Sequence, residues 1–224
     1  MTIHHLQSLL RNTLPDARIE TITLPGCEHI RLGLINADYP SGPLDPEVMR
    51  AVLRAPAYWA FCWGSGLALA RYLSMNPHVV RGRKVVDLGS GSGVVAIAAA
   101  MAGASRVIAC DNDADALTAT GINADLNGCR IDLVSNLERV PRDNDLLLMA
   151  DVLYDAANLP LLRAAAAHAD TLLVADSRIS VLPDRDFRLI ARIDARTQPN
   201  LGEFDEFRSV RVFLRRGSSA TDYR

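Results

Sequence analysis

Aromatic side chains are scarce in this sequence, in which only 5% of the 224 residues are Phe, Trp or Tyr. Four of these twelve residues, including both tryptophans, fall within positions 58–63. A rare residue type gathered in one short window is typical either of a plug in the hydrophobic core or of a binding surface. Residues 58–63 are therefore candidates for one of these two roles.

Three further absences narrow the class of protein. There is no apolar run of about 18 residues or more, so we predict no transmembrane helix and no membrane partner. The net charge is only −2, which argues against a basic protein that coats nucleic acid. The four cysteines form no Cys-x-x-Cys pair and the five histidines show no metal-ligand spacing, so we predict neither disulfides nor a metal site.

The first residues lack a basic segment followed by an apolar one, so we do not expect secretion. Widely spaced, unpaired cysteines fit a reducing compartment. Together these features predict a cytoplasmic location. The composition, 49% hydrophobic and 22% charged, is typical of a soluble globular protein.

From residue 84 onward, short apolar segments alternate with helical ones, which predicts a Rossmann-like α/β fold with a doubly wound, mostly parallel sheet. The last two segments are joined without a helix and predict a terminal antiparallel strand. The seven predicted strands are Val85–Leu88, Arg106–Cys110, Ile131–Val134, Leu146–Ala150, Thr171–Ala175, Phe187–Ile193 and Arg208–Leu214. The predicted helices between them are 94–102, 113–126 and 155–168.

The domain division follows from this pattern. Residues 58–217 are predicted to form the main domain, and residues 218–224 a disordered tail. Residues 1–57 are predicted to be a small α+β extension that packs on the core. The predicted elements of this extension are a helix at 3–14, a strand at 29–35 and a helix that Asp45 caps and that runs to Leu53.

The strongest motif is the glycine-rich loop that follows the first strand of the main domain, with glycines at 89, 91 and 93. Glycine lets the backbone turn tightly and approach a ligand closely. Neither the dinucleotide fingerprint nor a phosphate-binding GK[ST] loop is present. An acidic residue followed by this G-x-G-x-G spacing resembles motif I of the class I S-adenosylmethionine-dependent methyltransferases.

That resemblance implies a cofactor and a set of contacts. Gly89 and Gly91 would lie against the methionine part of S-adenosylmethionine, and Asp87 would interact with its ammonium group, either directly or through water. Asp111, about 20 residues after the loop, would accept the ribose hydroxyls, although it is also placed to cap the next helix. Asn136 would contact the adenine edge, unless it is only an exposed loop residue, and Gly93 serves either the cofactor or helix packing.

The segment Asp151-Val-Leu-Tyr154 follows the fourth predicted strand of the main domain. It lacks the prolines that amine methylases of nucleic acids carry in this place, so we predict no nucleic-acid substrate. A D-x-x-Y sequence instead resembles the seven-strand protein lysine methyltransferases. Several longer segments are similar to the electron-transfer flavoprotein β-subunit lysine methyltransferase family. They are 56–66, 71–73, 76–91, 104–106 and 151–155.

The sequence departs from that family in two places. Where the family usually has Tyr-Trp-Pro-Gly-Gly, this chain has Cys62-Trp-Gly-Ser-Gly66, which places a small thiol instead of a ring near the predicted pocket. The family's Asp-Pro-Gly-Arg after the fifth strand remains only as Asp176-Ser-Arg178. The fold prediction is unaffected by these departures.

The resemblance implies that a neutral lysine amine attacks the methyl group. Asp151 would bind and orient the incoming ammonium and Tyr154 would shape the acceptor channel, although capping and packing are the alternatives for these two residues. Trp63 is the aromatic residue that we predict to face the cofactor, unless it only fills the core. We expect Tyr58, Trp59 and Phe61 to be packing residues.

Three functions fit the sequence. The first is a protein lysine methyltransferase acting on a protein such as the electron-transfer flavoprotein β subunit or a ribosomal protein. Acidic residues of the extension (Asp38, Asp45 and Glu47) favour it mildly, because they are available to form a rim for a protein substrate. The alternatives are a small-molecule N-methyltransferase and a protein that binds S-adenosylmethionine without transferring methyl groups.

Overall fold

In a computed structural model of the chain, residues 2–40, 42–154, 156–202 and 204–217 are described. Nine strands are found in these ranges. They are β1 (Ile19–Leu24), β2 (Cys27–Ile35), β3 (Lys84–Leu88), β4 (Arg106–Cys110), β5 (Asp132–Val134), β6 (Asn144–Ala150), β7 (Ala169–Asp176), β8 (Arg188–Asp194) and β9 (Ser209–Arg216).

Six α-helices lie between and before these strands. They are α1 (Ile3–Arg11), α2 (Pro46–Arg54), α3 (Gly64–Met75), α4 (Val94–Met101), α5 (Ala114–Leu126) and α6 (Leu161–Ala165). Short 3-10 turns are formed by Tyr58–Ala60, Pro77–Val79, Leu137–Arg139, Ala156–Asn158 and Asp205–Arg208.

The main sheet has seven strands in the order β5-β4-β3-β6-β7-β9-β8. The neighbours from β5 to β7 are parallel, whereas β9 runs antiparallel to both β7 and β8. The doubly wound α/β prediction is therefore confirmed, including the antiparallel strand near the end of the chain. The strand order reverses at β3, whose neighbours are β4 and β6, and this is where open α/β sheets place their ligands.

The central strands of the sheet are covered by other elements on both faces, and their sequences are correspondingly rich in apolar residues. Residues 146–149 of β6 and 172–175 of β7 are all apolar and buried, as expected for strands between two layers of helices. Helix α4 is apolar all round, and six of its eight residues are buried between the sheet and α3. These layers fix the carboxyl ends of β3, β4 and β6 in place.

Two asparagines, Asn123 in α5 and Asn127 at its end, form hydrogen bonds with the segment 2–40. Asn123 Oδ1 accepts from the Gly33 N–H at 2.8 Å, and Asn127 exchanges hydrogen bonds with the backbone of Arg31 in β2. Asn123 also donates to the carbonyl of Ser92 at 2.9 Å. One helix thus connects the extension, its hairpin of β1 and β2, and the glycine-rich loop.

Several sequence predictions were wrong in detail. Strand β1 was missed, and the helix predicted for 155–168 is reduced to a 3-10 turn and the five residues of α6. Asp155, expected to cap that helix, and the tail 218–224 lie outside the described residues. Among the residues that the structure describes, no helix combines the length and apolarity needed to cross a bilayer.

Candidate active site

A cleft of about 660 Å³ opens at the carboxyl ends of β3, β4 and β6. Seven of the eight predicted site residues line it, and Asp87 is the one that does not. The seven are Trp63, Gly89, Gly91, Asp111, Asn136, Asp151 and Tyr154. Cavities of this size hold compounds as large as a nucleoside cofactor.

The glycine-rich loop needs its glycines for different reasons. All three have positive φ, +77° at Gly89, +51° at Gly91 and +83° at Gly93, which disfavours other residues. A Cβ on Gly89 would lie 2.6 Å from Val152 Cγ2, whereas a Cβ on Gly91 would meet nothing within 4 Å. A Cβ on Gly93 would lie 3.0 Å from Thr120 Cα. Of the two predicted roles, a cofactor contact and helix packing, the structure favours helix packing.

Asp111 closes this loop from the end of β4. Its Oδ2 accepts from the Gly91 N–H at 2.9 Å and its Oδ1 accepts from the Asp113 N–H at 3.0 Å. Burial raises the pKa of this carboxyl, and the two backbone bonds act in the opposite direction. Each carboxylate oxygen keeps a second lone pair, so the side chain can accept two hydroxyls in addition. The next helix is capped by Asp113, which accepts from the Asp115 N–H.

Asp87 does not line the cleft, so only the water-mediated form of its predicted contact fits this position. Its side chain is 1% exposed, lies beneath the loop and accepts from the Ala96 N–H of α4 at 3.0 Å. Burial raises its pKa to about 7. Asp87 therefore braces the loop against α4, and any contact with a ligand ammonium would have to pass through another group.

Asn136 stands at the rim of the cleft. It is exposed, and its Oδ1 caps the turn Leu137–Arg139 by accepting from the Arg139 N–H at 3.1 Å. Its position beside the carboxyl end of β5 is compatible with the predicted adenine contact, which stays a prediction.

Asp151 is held in a strained conformation. It has a φ of +54°, unusual for a residue other than glycine. Its carboxylate accepts the Ser65 N–H at 2.8 Å and the Ser65 hydroxyl at 2.5 Å. These bonds attach it to the first turn of α3, where the helix dipole favours a negative charge. Asp151 thus caps a helix distant in sequence while it lines the cleft.

Aromatic rings surround the mouth of the cleft. Tyr154 is 52% exposed and packs edge-on against Tyr58, whose ring centroid lies 6.1 Å away. Trp63 contacts Tyr58 at 5.8 Å and donates its indole N–H to the Tyr58 carbonyl. Tyr58, expected to be a packing residue, does pack against both rings, and it also lines the cleft with 48% of its surface exposed.

The other residues of the aromatic window are more buried. Trp59 is 2% exposed, belongs to the core beneath the extension and still contributes to the wall of the cleft. Phe61 packs against Trp63. The Cys62 thiol points into the main core instead of the cleft, and its backbone pairs with Gln198. The acidic rim predicted from Asp38, Asp45 and Glu47 does not line the cleft.

Sequence reasoning missed several residues on the side of the cleft nearest β7. Asn158 donates to the Val152 carbonyl at 2.8 Å and supports the turn after Asp151. Ser177 and Arg178 also line the cleft, and buried Asp176 shapes their turn by accepting the Arg178 and Ile179 N–H groups. The only signal for them was the shortened Asp176-Ser-Arg178 motif.

Comparisons with known proteins agree with this geometry. The family model of ribosomal protein L11 methyltransferase (PrmA) matches residues 68–168. The human electron transfer flavoprotein beta subunit lysine methyltransferase is 41% identical over 135 residues, which cover 51% of each chain. The matched part of the chain is therefore similar to class I methyltransferases. The Xenopus laevis relative of the same name is 35% identical and covers 61% of this chain and 65% of its own.

A solved structure shows a similar fold. The ribosomal protein L11 methylase of Lactobacillus delbrueckii subsp. bulgaricus has a TM-score of 0.51 and 25% identity, and the match covers 66% of this chain and 77% of that one. The chain spans about half the length of the curated human relative that it matches.

The comparisons support S-adenosylmethionine as the cofactor, and the residues of the cleft fit it. The open space at Gly91 leaves room for a ligand against the backbone, and Asp111 presents a carboxylate beside it at the carboxyl end of β4. No group of three or more potential metal ligands is found within the described ranges. The cleft can therefore hold a nucleoside on one side and an acceptor between Asp151 and the aromatic mouth.

Proposed function

We propose that this protein transfers a methyl group from S-adenosylmethionine to the side-chain amine of a lysine in a protein substrate. The observation that carries the proposal is the convergence of the glycine-rich loop, Asp111, and the Asp151–Tyr154 segment on one cleft. The relatives named as lysine methyltransferases support the choice of lysine. By their names, the electron-transfer flavoprotein β subunit is the first substrate to test, and a ribosomal protein is the second.

The bound cofactor would supply an activated methyl group on a positively charged sulfur. The protein's own part is to bring the lysine amine, free of its proton, into line with it. A free lysine has a pKa near 10.4, about three units above neutrality. An enclosed site that already holds a positive charge lowers this value, because it disfavours a second cation.

Asp151 would hold the entering ammonium and orient it. Its carboxylate is fixed by Ser65 where it lines the cleft, so its position is defined before a substrate arrives. The exposed ring of Tyr154 and its neighbour Tyr58 would form the walls of the channel for the lysine side chain. Aromatic faces attract alkylammonium groups, so the ring surfaces favour a lysine over a neutral side chain.

Alignment would supply much of the acceleration. Holding two reactants in the reactive geometry is worth as much as about 7–11 kcal/mol in well-oriented systems. The fixed position of Asp151 and the rigid aromatic mouth serve this purpose, and no strong general base is required. The cytoplasmic location remains a prediction, and so does the boundary between the extension, residues 1–57, and the main domain.

The experiment is a transfer assay with tritiated S-adenosylmethionine, the purified protein and a cell lysate. Label on one protein band, assigned to lysine by mass spectrometry, would support the proposal. Label in small metabolites would favour a small-molecule N-methyltransferase, and cofactor binding without label would favour a non-catalytic protein. Self-methylation of the protein on lysine is restricted to one residue, because Lys84 is the only lysine in the sequence; it lies at the amino end of β3 and pairs with Asp143 at 2.6 Å.

A further inference from the structure

Arg178 is an exposed cation on the wall of the cleft nearest β7. Its guanidinium carbon lies 4.6 Å from the centre of the Phe207 ring. Such stacking restricts the side chain before any ligand arrives, which lowers the entropic cost of binding. Arg178 does not occur among the ion pairs of the described residues.

Two further arginines continue from Arg178 along the last strands. Arg211 in β9 donates to the carbonyl of Ser177 at 3.1 Å, which places it beside the turn that carries Arg178. Arg192 in β8 is the direct partner of Arg211 in the antiparallel pair. Residues in direct register share one face of the sheet, and like charges there repel each other. We call Arg178, Arg192 and Arg211 the arginine strip.

The nearby carboxylates do not neutralise the arginine strip. Asp194 pairs with Arg208 at 3.5 Å and Asp184 pairs with Arg215 at 3.3 Å. Asp176 lies opposite Arg211 in β7, but it is buried and accepts backbone N–H groups. The strip is thus a local excess of positive charge in a protein whose net charge is −2.

The strip also begins at the acceptor side of the cleft. Strands β6 and β7 are neighbours, and the Asp151 N–H donates to the carbonyl of Ala175, the penultimate residue of β7. The turn that carries Arg178 follows directly after that strand. A chain whose lysine reaches Asp151 would therefore pass close to the arginines.

We propose that the arginine strip binds an acidic segment of the protein substrate, next to the lysine that is methylated. This inference rests on the proposed function, which supplies the lysine. Guanidinium groups bind carboxylates through paired hydrogen bonds, and two arginines facing each other are relieved by an anion between them. A protein segment fits better than nucleic acid, because a phosphate backbone needs a more extended basic surface than three side chains provide.

The test measures binding separately from methyl transfer. Two fluorescein-labelled peptides carry one lysine each, flanked by glutamates in one and by glutamines in the other. Their affinities are compared by fluorescence anisotropy at low salt for the wild type, Arg178→Glu and Arg192→Glu. Arg130→Glu is the matched control, because Arg130 is exposed and precedes the amino end of β5, away from the cleft.

The wild type should bind the glutamate peptide at least tenfold more tightly than the glutamine peptide. Each strip variant should remove most of this difference, added salt should weaken it, and Arg130→Glu should retain it. Equal binding of both peptides, an equal effect of Arg130→Glu, or tighter binding of a single-stranded RNA of the same length would overturn the proposal.

The same samples separate this inference from the proposed function. If the glutamate peptide binds through the strip but receives no tritium from S-adenosylmethionine, lysine methylation is refuted for that segment and the docking surface stands. If both peptides are methylated equally well by the wild type and by the strip variants, the function stands and the docking surface is refuted.

Discussion

Two glycines of the same loop should respond differently to the same substitution. Gly91→Ala and Gly93→Ala each add one methyl group at a residue of positive φ. The left-handed conformation costs an alanine about 1–2 kcal/mol. At Gly91 this is the whole expected loss of stability, because nothing lies within 4 Å of the new Cβ.

At Gly93 a packing cost is added. The new Cβ would lie 3.0 Å from both Cα and Cγ2 of Thr120. Overpacking of a well-filled interior costs about 1–3 kcal/mol more. Thr120 also donates to Ser90 and the Gly91 carbonyl, so its displacement disturbs the loop itself. Gly93→Ala should therefore lower the free energy of unfolding by about 2–5 kcal/mol in total.

The affinity for S-adenosylmethionine should fall more in Gly91→Ala than in Gly93→Ala, the opposite of the order expected for stability. Gly91 lines the cleft, so its new methyl group takes up space that a ligand would fill. We expect Gly91→Ala to weaken S-adenosylmethionine binding at least tenfold, or about 1.4 kcal/mol. Urea unfolding and calorimetric titration measure the two effects. The reasoning would be refuted if Gly93→Ala were as stable as Gly91→Ala, or if Gly91→Ala bound the cofactor normally.

Three other substitutions test individual groups of the site. Asp111→Asn replaces a carboxylate oxygen, which accepts hydrogen bonds, with an NH₂ group that cannot accept them from the backbone N–H groups of the loop. Calorimetry should show a tenfold or greater loss of cofactor affinity. Normal affinity would exclude the ribose role. Ser65→Ala removes the hydroxyl bond to Asp151 and should lower kcat more than it changes cofactor affinity, whereas Ser65→Thr should restore kcat. Asp87→Asn tests the raised pKa of about 7. The folded protein keeps a proton that the unfolded chain loses near pH ~4, so this contribution to stability is complete below that pH and is lost as the pH rises toward 7. Urea unfolding should show this decline in the wild type and a flatter profile in Asp87→Asn, and equal slopes would contradict the assignment.

The parallel part of the sheet could be predicted because burial on both faces leaves a clear signal in the sequence. Arg106–Cys110 was predicted with its exact bounds, and Lys84–Leu88 differed by one residue. The helix expected over 155–168 failed at Pro160, which lacks an N–H and begins a new helix at Leu161 instead of continuing one. Strand β1 was missed because only its last residue is buried, so its hydrophobic pattern is weak.

The candidate site was predictable where it follows the ends of strands. Gly89, Asp111 and Asp151 come directly after β3, β4 and β6, and the parallel pairing of these strands brings them together. The bond between Asp151 and Ser65 joins residues 86 positions apart, and no local pattern announces it. The same holds for Arg178, whose role depends on Phe207 and on the register of β8 and β9.

The most direct test of the account is methyl transfer to lysine by the wild type and by Asp151→Asn. Each is incubated with tritiated S-adenosylmethionine and purified electron-transfer flavoprotein β subunit, with ribosomal proteins in parallel. The account predicts label on lysine with the wild type and at least a tenfold lower rate with Asp151→Asn, about 1.4 kcal/mol in barrier, at unchanged cofactor affinity. Cofactor binding without any label on protein lysine, or full turnover by Asp151→Asn, would contradict it.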